Sequence, residues 1–212
     1  MDIIKKITKE AKKHFKWKNG CHGFDHTMRV YKLWLHIWEK ENADLEVIQI
    51  ATLLHDIWRS EQDKCKWKVC HAEIWAKKAK EILKNYDITK EKLENITHCI
   101  ETHRSRWSNI PETIEAKIVY DADKLDSIWA VWIGRLFLFA WEIWAKLHNK
   151  DADIENTKEY SKDDTAYREF LIKKQKVKDK MLTEEWKKIA IERHEYMVQF
   201  FDRLNMEVDW EI

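Results

Sequence analysis

Apolar residues recur at helical spacing along almost the whole chain, and stretches that alternate strictly between apolar and polar residues are nearly absent. This periodicity predicts an all-α helical bundle of about eight or nine helices. The first helix carries one apolar face and should end near the Asn19-Gly20 turn signal. That face consists of Ile3, Ile4, Ile7, Ala11 and Phe15.

The next helices are predicted from the same pattern. A second helix should cover about residues 24–40, and a third should follow Asn42 and reach Ile57. The third helix is apolar nearly all round, which places it at the centre of the fold. Residues 60–68 are polar and predict a loop, followed by helices near residues 70–86 and 89–103.

The second half of the chain contains the only proline, Pro111, which fits the first turn of a helix leading to Asp121. Residues 149–164 form the longest polar segment without periodicity, and they predict an exposed loop that could cover a pocket. Two final helices are expected at about residues 165–181 and 183–204.

Composition narrows the class of protein. The chain has 212 residues with 39 Lys plus Arg against 38 Asp plus Glu, so its net charge is +1. Such a balance makes nucleic acid an improbable main partner, and no polybasic segment points to a membrane surface. The four cysteines are irregularly spaced and are expected to be reduced thiols, and the oligomeric state is left open.

Location is predicted from two segments. The N-terminal segment is charged throughout and has no apolar core of a signal peptide, so a cytoplasmic protein is expected. Residues 128–147 are strongly apolar but include Arg135, Glu142 and Lys146. Because a charge in the middle of a bilayer is costly, we interpret this segment as a buried core helix and expect no membrane span.

Histidines beside carboxylates are the candidate chemistry. His26 follows Asp25, and the adjacent pair His55 and Asp56 ends the most apolar helix. A buried imidazole and carboxylate need either each other or a metal ion, and an isolated His-Asp pair is more often structural. Together they suit one divalent transition metal (Mn²⁺, Ni²⁺, Co²⁺, Fe²⁺ or Zn²⁺) better than Ca²⁺, with Mg²⁺ left open.

Five motifs occur in a fixed order: HGFDHTMRV, ATLLHDIWR, CHAEIWA, IETHRSR and DADKLD. In this order the chain resembles the HD-domain metal-dependent phosphohydrolase superfamily, in particular its small single-domain bacterial and archaeal members. The resemblance implies one HD-type domain over residues 1–212. It also implies that the metal ligands are His26, His55, Asp56 and Asp121.

The resemblance further implies a phosphohydrolase acting on a nucleotide or a similar small phosphorylated substrate. Asp56, Glu73 and Lys124 are then candidates for catalysis, with Glu73 positioning the water and Lys124 neutralising phosphate charge. Candidate substrate contacts are Arg59, His71, His103 and Arg104. An exposed carboxylate at position 73 and a solvated C-terminal turn at residues 103–104 are the alternatives.

Two other functions stay open: a phosphodiesterase acting on a cyclic or oligonucleotide substrate, and a non-catalytic module that binds a metal or a nucleotide.

The sequence departs from the family in its glycine content. The chain has three Gly and 13 Trp, whereas ordinary usage predicts roughly 15 Gly. Family glycines after Ile57 and in SIWAVWIGR are occupied by Trp58, Trp129 and Trp132. We hypothesise that most of these tryptophans replace ancestral glycines, through substitution or an error in the recorded sequence.

Overall fold

Helices make up the secondary structure of a computed structural model that describes residues 2–15, 23–36, 38–57, 71–104, 109–151 and 153–211. No strand occurs in these ranges, which confirms the predicted all-α class. The chain divides into two compact units, Met1–Asp123 and Lys124–Ile212. The helices of the first unit are α1 (Ile3–His14), α2 (Phe24–Leu33), α3 (Trp38–Glu41), α4 (Leu45–Leu54), α5 (His71–Leu83), α6 (Lys90–Thr102) and α7 (Ile114–Asp126), the last of which continues into the second unit.

Side-chain caps fix where several of these helices begin. The Asp44 carboxylate accepts hydrogen bonds from the backbone amides of Glu46 and Val47 at 3.0 and 3.2 Å. Asp2 caps α1 and Thr89 caps α6 in the same way. Each cap satisfies amide donors that have no partner within the first helical turn.

Helix α4 is the centre of the first unit, as its apolar sequence predicts. Seven of its ten residues are buried, and it packs against α1, α2 and α6. Its side chains join a core that extends from Ile7 in α1 to Val119 in α7. Because α4 is surrounded, the residues that follow its last turn are also carried into the interior.

The predicted end of the second helix, near residue 40, is wrong. Helix α2 ends at Leu33 and is followed by a 3-10 turn, Trp34–His36, before α3 begins. The prediction for Pro111 is also wrong, because α7 starts three residues later, at Ile114. The Thr113 hydroxyl accepts a hydrogen bond from the amide of Ala116 at 3.2 Å and so caps that helix instead. The predicted end of the first helix, at Asn19-Gly20, lies outside the described residues.

The second unit contains α8 (Ala130–Glu142), α9 (Ala166–Glu169), a π-helical turn (Phe170–Lys174), a 3-10 turn (Lys178–Lys180) and α10 (Glu184–Asp209). The helix predicted at residues 165–181 is therefore broken into short pieces. Phe170 and Phe201 stack with their ring centroids 4.6 Å apart at the centre of this unit. The buried Arg168 ties the preceding segment down, since its guanidinium donates to Asp164 at 2.6 Å and to the carbonyl of Thr157 at 2.7 Å.

The apolar segment at residues 128–147 contains α8, which buries one face through Ile133, Leu136 and Ala140. Its other face is exposed, with Trp141 and Leu138 open to solvent. The expected fully buried helix is therefore only half buried. Within the described ranges, no helix is both long enough and apolar enough to span a bilayer.

Three tryptophans adopt backbone angles that favour glycine: Trp129, Trp144 and Trp210, with φ of 116°, 57° and 57°. Trp144 follows the end of α8, where two hydrogen bonds close the helix. The amide of Ala145 donates to the carbonyl of Ala140 at 2.8 Å, and the amide of Trp144 donates to that of Trp141 at 3.1 Å. This pair of bonds is the Schellman motif, whose left-handed residue is usually glycine.

Candidate metal centre

Three possible metal ligands meet in the interior of the first unit: His26, His55 and Asp123. His26 lies near the start of α2 and is buried. His55 follows the last residue of α4 and is completely buried. Asp123 lies near the end of α7, where the central core gives way to a partly exposed position. Two helix ends and one helix start thus bring polar groups to one point.

The distances between the ligand atoms fit a single divalent ion. His26 Nε2 lies 3.3 Å from His55 Nε2 and 3.3 Å from Asp123 Oδ1. His55 Nε2 lies 3.8 Å from Asp123 Oδ1. Ligand atoms that each lie about 2.1 Å from an ion are separated by about 3.0 Å at right angles and about 3.4 Å at tetrahedral angles. The three atoms therefore have the spacing that a shared ion needs.

His55 is prepared to act as a neutral ligand. Its Nδ1 lies 2.8 Å from the carbonyl oxygen of Thr52, so Nδ1 carries the proton and donates it there. This leaves the lone pair of Nε2 directed toward His26 and Asp123. Burial lowers the pKa of His55 to about 4, with the nearby Asp56 carboxylate opposing the shift. A neutral imidazole of fixed tautomer is the form that binds a metal.

Asp56 connects this group to a third histidine. One carboxylate oxygen of Asp56 lies 3.7 Å from His26 Nε2 and the other lies 3.7 Å from His103 Nε2. His103 is held like His55, because its Nδ1 lies 2.6 Å from the carbonyl oxygen of Ile100. The ring of Trp75 stacks on His103 at 5.8 Å. His103 therefore presents Nε2 to the same interior as the metal-ligand group.

Asp121, the ligand that the family resemblance implies, lies two residues before Asp123 on α7 and is completely buried. Successive residues of a helix are rotated by about 100°, so residues two apart point about 200° away from each other. The two carboxylates thus cannot face one ion together from a regular helix. Asp123 is the one whose oxygen lies beside His26 Nε2, and the role of Asp121 stays a prediction.

The remaining predicted site residues differ in what the structure describes. Arg59 and the side chains of His71 and Glu73 lie outside the described residues. Arg104 is half-buried, with its guanidinium carbon 6.0 Å from the centre of the Trp75 ring. Lys124 directly follows Asp123 and belongs to the second unit. The roles predicted for all five stay predictions.

Two residues of the site were missed by sequence reasoning: Asp123 and Trp75. A signal for Asp123 exists, because the DADKLD motif offers carboxylates on more than one face of a helix. Choosing among them requires the rotation of α7 relative to α2 and α4. Trp75 carried no signal for a contact with His103, since the residues are far apart in sequence.

The sequence matches a known domain family and a known protein. Residues 23–128 match the family model of the HD domain. The chain is 33% identical over 196 residues to the uncharacterized protein YpgQ of Bacillus subtilis (strain 168), covering 90% of this chain and 86% of that protein.

Two solved structures are similar to this chain over nearly its whole length. An HD-superfamily hydrolase from Bacillus thuringiensis is similar with a TM-score of 0.76 and 26% identity, over 97% of this chain and 96% of that one. The crystal structure of Bacillus subtilis YpgQ in complex with ADP is similar with a TM-score of 0.72 and 29% identity, over 96% of this chain and 94% of that one.

Proposed function

This chain belongs to the HD domain family, and from that premise we propose that it is a metal-dependent phosphohydrolase whose substrate is a nucleotide or a similar small phosphorylated compound. The reaction is hydrolysis of a phosphate ester or phosphoanhydride. The observation that carries the proposal is the meeting of His26, His55 and Asp123 in the interior, at the spacing of ligands to one ion.

His26, His55 and Asp123, with Asp56 beside them, are the residues that would hold the ion. Imidazole and carboxylate ligands suit Mn²⁺, Ni²⁺, Co²⁺, Fe²⁺ or Zn²⁺. When bound, a divalent ion supplies the charge that polarises a phosphoryl oxygen and makes a water acidic enough to attack at neutral pH. The negative charge of the ligand carboxylates balances the ion in a region that water scarcely reaches.

Asp56 and His103 can accept or donate hydrogen bonds and protons in the site. Its two oxygens lie 3.7 Å from His26 Nε2 and from His103 Nε2. A carboxylate in that position can accept a hydrogen bond from an attacking water and orient it. His103, whose Nδ1 donates to the carbonyl of Ile100, can accept a hydrogen bond at Nε2, and it donates from Nε2 only as an imidazolium.

A nucleotide substrate is supported by the relative that was crystallised with ADP. The similarity over nearly the whole of both chains supports a phosphorylated ligand for this protein as well. Arg104 and Lys124, which the sequence predicts to contact the substrate and to neutralise phosphate charge, are cations of the kind that suits phosphate oxygens.

The proposal is tested by incubating the purified protein with a panel of nucleoside mono-, di- and triphosphates and each of Mn²⁺, Co²⁺, Ni²⁺ and Mg²⁺. Release of phosphate or pyrophosphate that requires the metal is expected. Asp56→Asn, which keeps the size of the side chain but removes its charge, should lower the rate by about 100-fold or more, since even outer partners of a metal ligand contribute about 10- to 100-fold.

Asp87→Asn is the matched control, because Asp87 is an exposed aspartate between α5 and α6 of the same unit. It should leave the rate unchanged. Hydrolysis that persists in EDTA and in Asp56→Asn would contradict the proposal. Turnover of cyclic or oligonucleotide substrates alone would favour a phosphodiesterase, and metal binding without any turnover would favour a non-catalytic module.

A further inference from the structure

The last turn of α7 concentrates negative charge. It contains Asp123 and Asp126 against one cation of its own, Lys124. The backbone carbonyls at the C-terminus of a helix add the equivalent of about half a negative charge, so carboxylates are unfavourable there and cations are favourable. Asp126 is also buried, so water does little to screen its charge. The end of α7 therefore needs positive partners from elsewhere to keep its helical form.

Two buried arginines supply these partners from the two long helices of the second unit. Arg193 of α10 donates from Nη1 to the carbonyl oxygen of Leu125 at 2.8 Å. Arg135 of α8 donates from Nη1 to a carboxylate oxygen of Asp126 at 3.1 Å. Only 9% of Arg193 and 8% of Arg135 are exposed. Two separate helices thus hold the end of α7.

The hydrogen bond from Arg193 constrains the helix itself, because its acceptor belongs to the main chain. The amide of Ile128 donates to the same carbonyl, that of Leu125, at 3.3 Å. The guanidinium carbon of Arg193 lies 4.3 Å from the centre of the Trp129 ring. Burial lowers the pKa of Arg193 to about 10 and Asp126 opposes that shift, so the arginine stays charged at neutral pH and is attracted to this carboxylate as well.

The turn that Arg193 holds also carries a member of the candidate metal centre. Asp123 lies two residues before Leu125 on α7, and its Oδ1 lies 3.3 Å from His26 Nε2. A metal site tolerates deviations of only about 0.2 Å in its ligand distances. If the last turn of α7 loosened or shifted, the carboxylate of Asp123 would move by more than that. The bond to the Leu125 carbonyl thus bears on how well the ligand group fits an ion.

We propose that Arg193 is a positioning residue of the metal centre, which holds the last turn of α7 so that Asp123 keeps its place in the ligand group. The inference rests on the proposed function, because it takes Asp123 as a ligand of the ion. Arg193 acts through the carbonyl of Leu125 and is not itself a ligand. Arg135 supports the same turn through Asp126.

The first measurement is the dissociation constant of Mn²⁺, by isothermal titration calorimetry of the full chain. The side chain in Arg193→Gln is uncharged and too short to reach the Leu125 carbonyl, so Mn²⁺ binding should weaken about 10-fold or more, as for other groups that orient a metal ligand. Arg193→Lys keeps the charge on a side chain that is one bond shorter, and it should weaken binding by about 3-fold.

Arg168→Gln is the matched control, because Arg168 is also a buried arginine of the second unit. It holds the segment 154–164 and not α7, since its guanidinium donates to Asp164 and to the carbonyls of Ile154 and Thr157. This variant should lower the melting temperature but leave the affinity for Mn²⁺ unchanged. A loss of affinity confined to the variants at position 193 then reports on position and not on general stability.

The second measurement needs no metal. Amide hydrogen exchange over residues 121–129, followed by mass spectrometry in EDTA, should be about 10-fold faster in Arg193→Gln than in the parent, the factor expected for a lost hydrogen bond from a charged donor. Exchange in Arg168→Gln over the same residues should match that of the parent. If Arg193→Gln does not fold, Arg193→Lys and Arg168→Lys provide the same comparison with a smaller factor.

Three results would overturn the proposal. They are equal Mn²⁺ affinities of Arg193→Gln and Arg168→Gln, Mn²⁺ binding to Arg193→Gln that equals that of the parent, and exchange over residues 121–129 that does not change in Arg193→Gln. A parent protein that binds no Mn²⁺ would overturn the proposed function together with this inference, whereas unchanged Mn²⁺ binding in Arg193→Gln would overturn this inference alone.

Discussion

Replacing Trp144 with Gly is expected to stabilise the protein, although it removes a large aromatic side chain. Trp144 has a φ of 57° and is 78% exposed, and its ring contacts that of Trp141 at 5.5 Å. The left-handed conformation brings Cβ close to the backbone carbonyl, whereas glycine has no Cβ. The strain is imposed by the hydrogen bonds that end α8 and is not relieved by burial of the side chain.

The magnitude follows from three contributions. Relief of the left-handed conformation contributes roughly 1–2 kcal/mol. The greater freedom of glycine in the unfolded chain opposes it by about 0.4–1 kcal/mol. Loss of the exposed contact with Trp141 costs about 0.5 kcal/mol at most, at the low end for aromatic pairs. The expected net gain is about 0.5 kcal/mol, and about 2–4 °C of melting temperature accompany each kcal/mol in a chain of this size.

Trp141→Gly is the control, because Trp141 is 70% exposed but lies within α8. Glycine within a helix is about 0.5 kcal/mol worse than tryptophan, so this variant should be less stable than the parent. Both variants lose the same contact between the two rings, so that contribution cancels in their difference. The free energies of unfolding, from urea titration, should therefore differ by about 1 kcal/mol in favour of Trp144→Gly.

Equal stabilities of the two variants, or a less stable Trp144→Gly, would refute the reasoning. The sign of this stability difference also bears on the hypothesis that most of the tryptophans replace ancestral glycines. If glycine is preferred at position 144 and not at position 141, the preference follows the backbone and not the aromatic character of the residue. An intact mass of the natural protein would then show whether all 13 recorded tryptophans are present.

Two further predictions concern the metal centre. Asp123→Asn should lose bound Mn²⁺, measured by elemental analysis of the purified protein, whereas Asp121→Asn should retain it, because a helix turns the two side chains about 200° apart; the reverse order would contradict the assignment. Without metal, stability should fall as the pH drops from 6.5 to 4, because the pKa of His55 is lowered in the folded state and only the unfolded chain takes up the proton. The slope is about 1.4 kcal/mol per pH unit, about 3 kcal/mol in all. His55→Gln should remove this part of the pH dependence in urea titrations, and parallel profiles of the two proteins would count against it.

Helices with strong apolar periodicity and a side-chain cap were predicted well. Helix α6 begins one residue after Thr89 and ends one residue before His103, close to the predicted bounds. The central position of α4 also followed from its apolar sequence. In both cases the local preference and the tertiary packing favour the same structure, which is the condition under which sequence periodicity is informative.

Breaks within apolar segments were not predicted. The 3-10 turn Trp34–His36 still buries Trp34, so the apolar pattern continues while the backbone tightens. The π-helical turn Phe170–Lys174 likewise lies inside a segment that looks helical. Such turns are fixed by how the side chains pack against other elements, and a single sequence does not contain that information.

Several residues of the site were predicted from the sequence, but the rotation of α7, which selects one of its carboxylates, was not. The sequence identified His26, His55 and Asp56 as polar groups near buried helix ends, and these side chains do approach one another. Which carboxylate of DADKLD joins them depends on how α7 is turned about its own axis. That angle is set by the packing of α7 against the core, through residues such as Ile118 and Val119, and no local motif encodes it.

The position of the doublet after α4 also links metal binding to folding. Because α4 is the most enclosed helix, His55 and Asp56 are drawn into a region that water scarcely reaches. Burying these polar groups lowers the free energy of unfolding unless a hydrogen-bond partner or an ion satisfies them. A bound divalent ion would satisfy His26, His55 and the nearby carboxylates together, and an ion that binds only the folded chain stabilises it in proportion to its affinity. The same burial that keeps the imidazole of His55 neutral would therefore also make the stability of the fold depend on a bound ion.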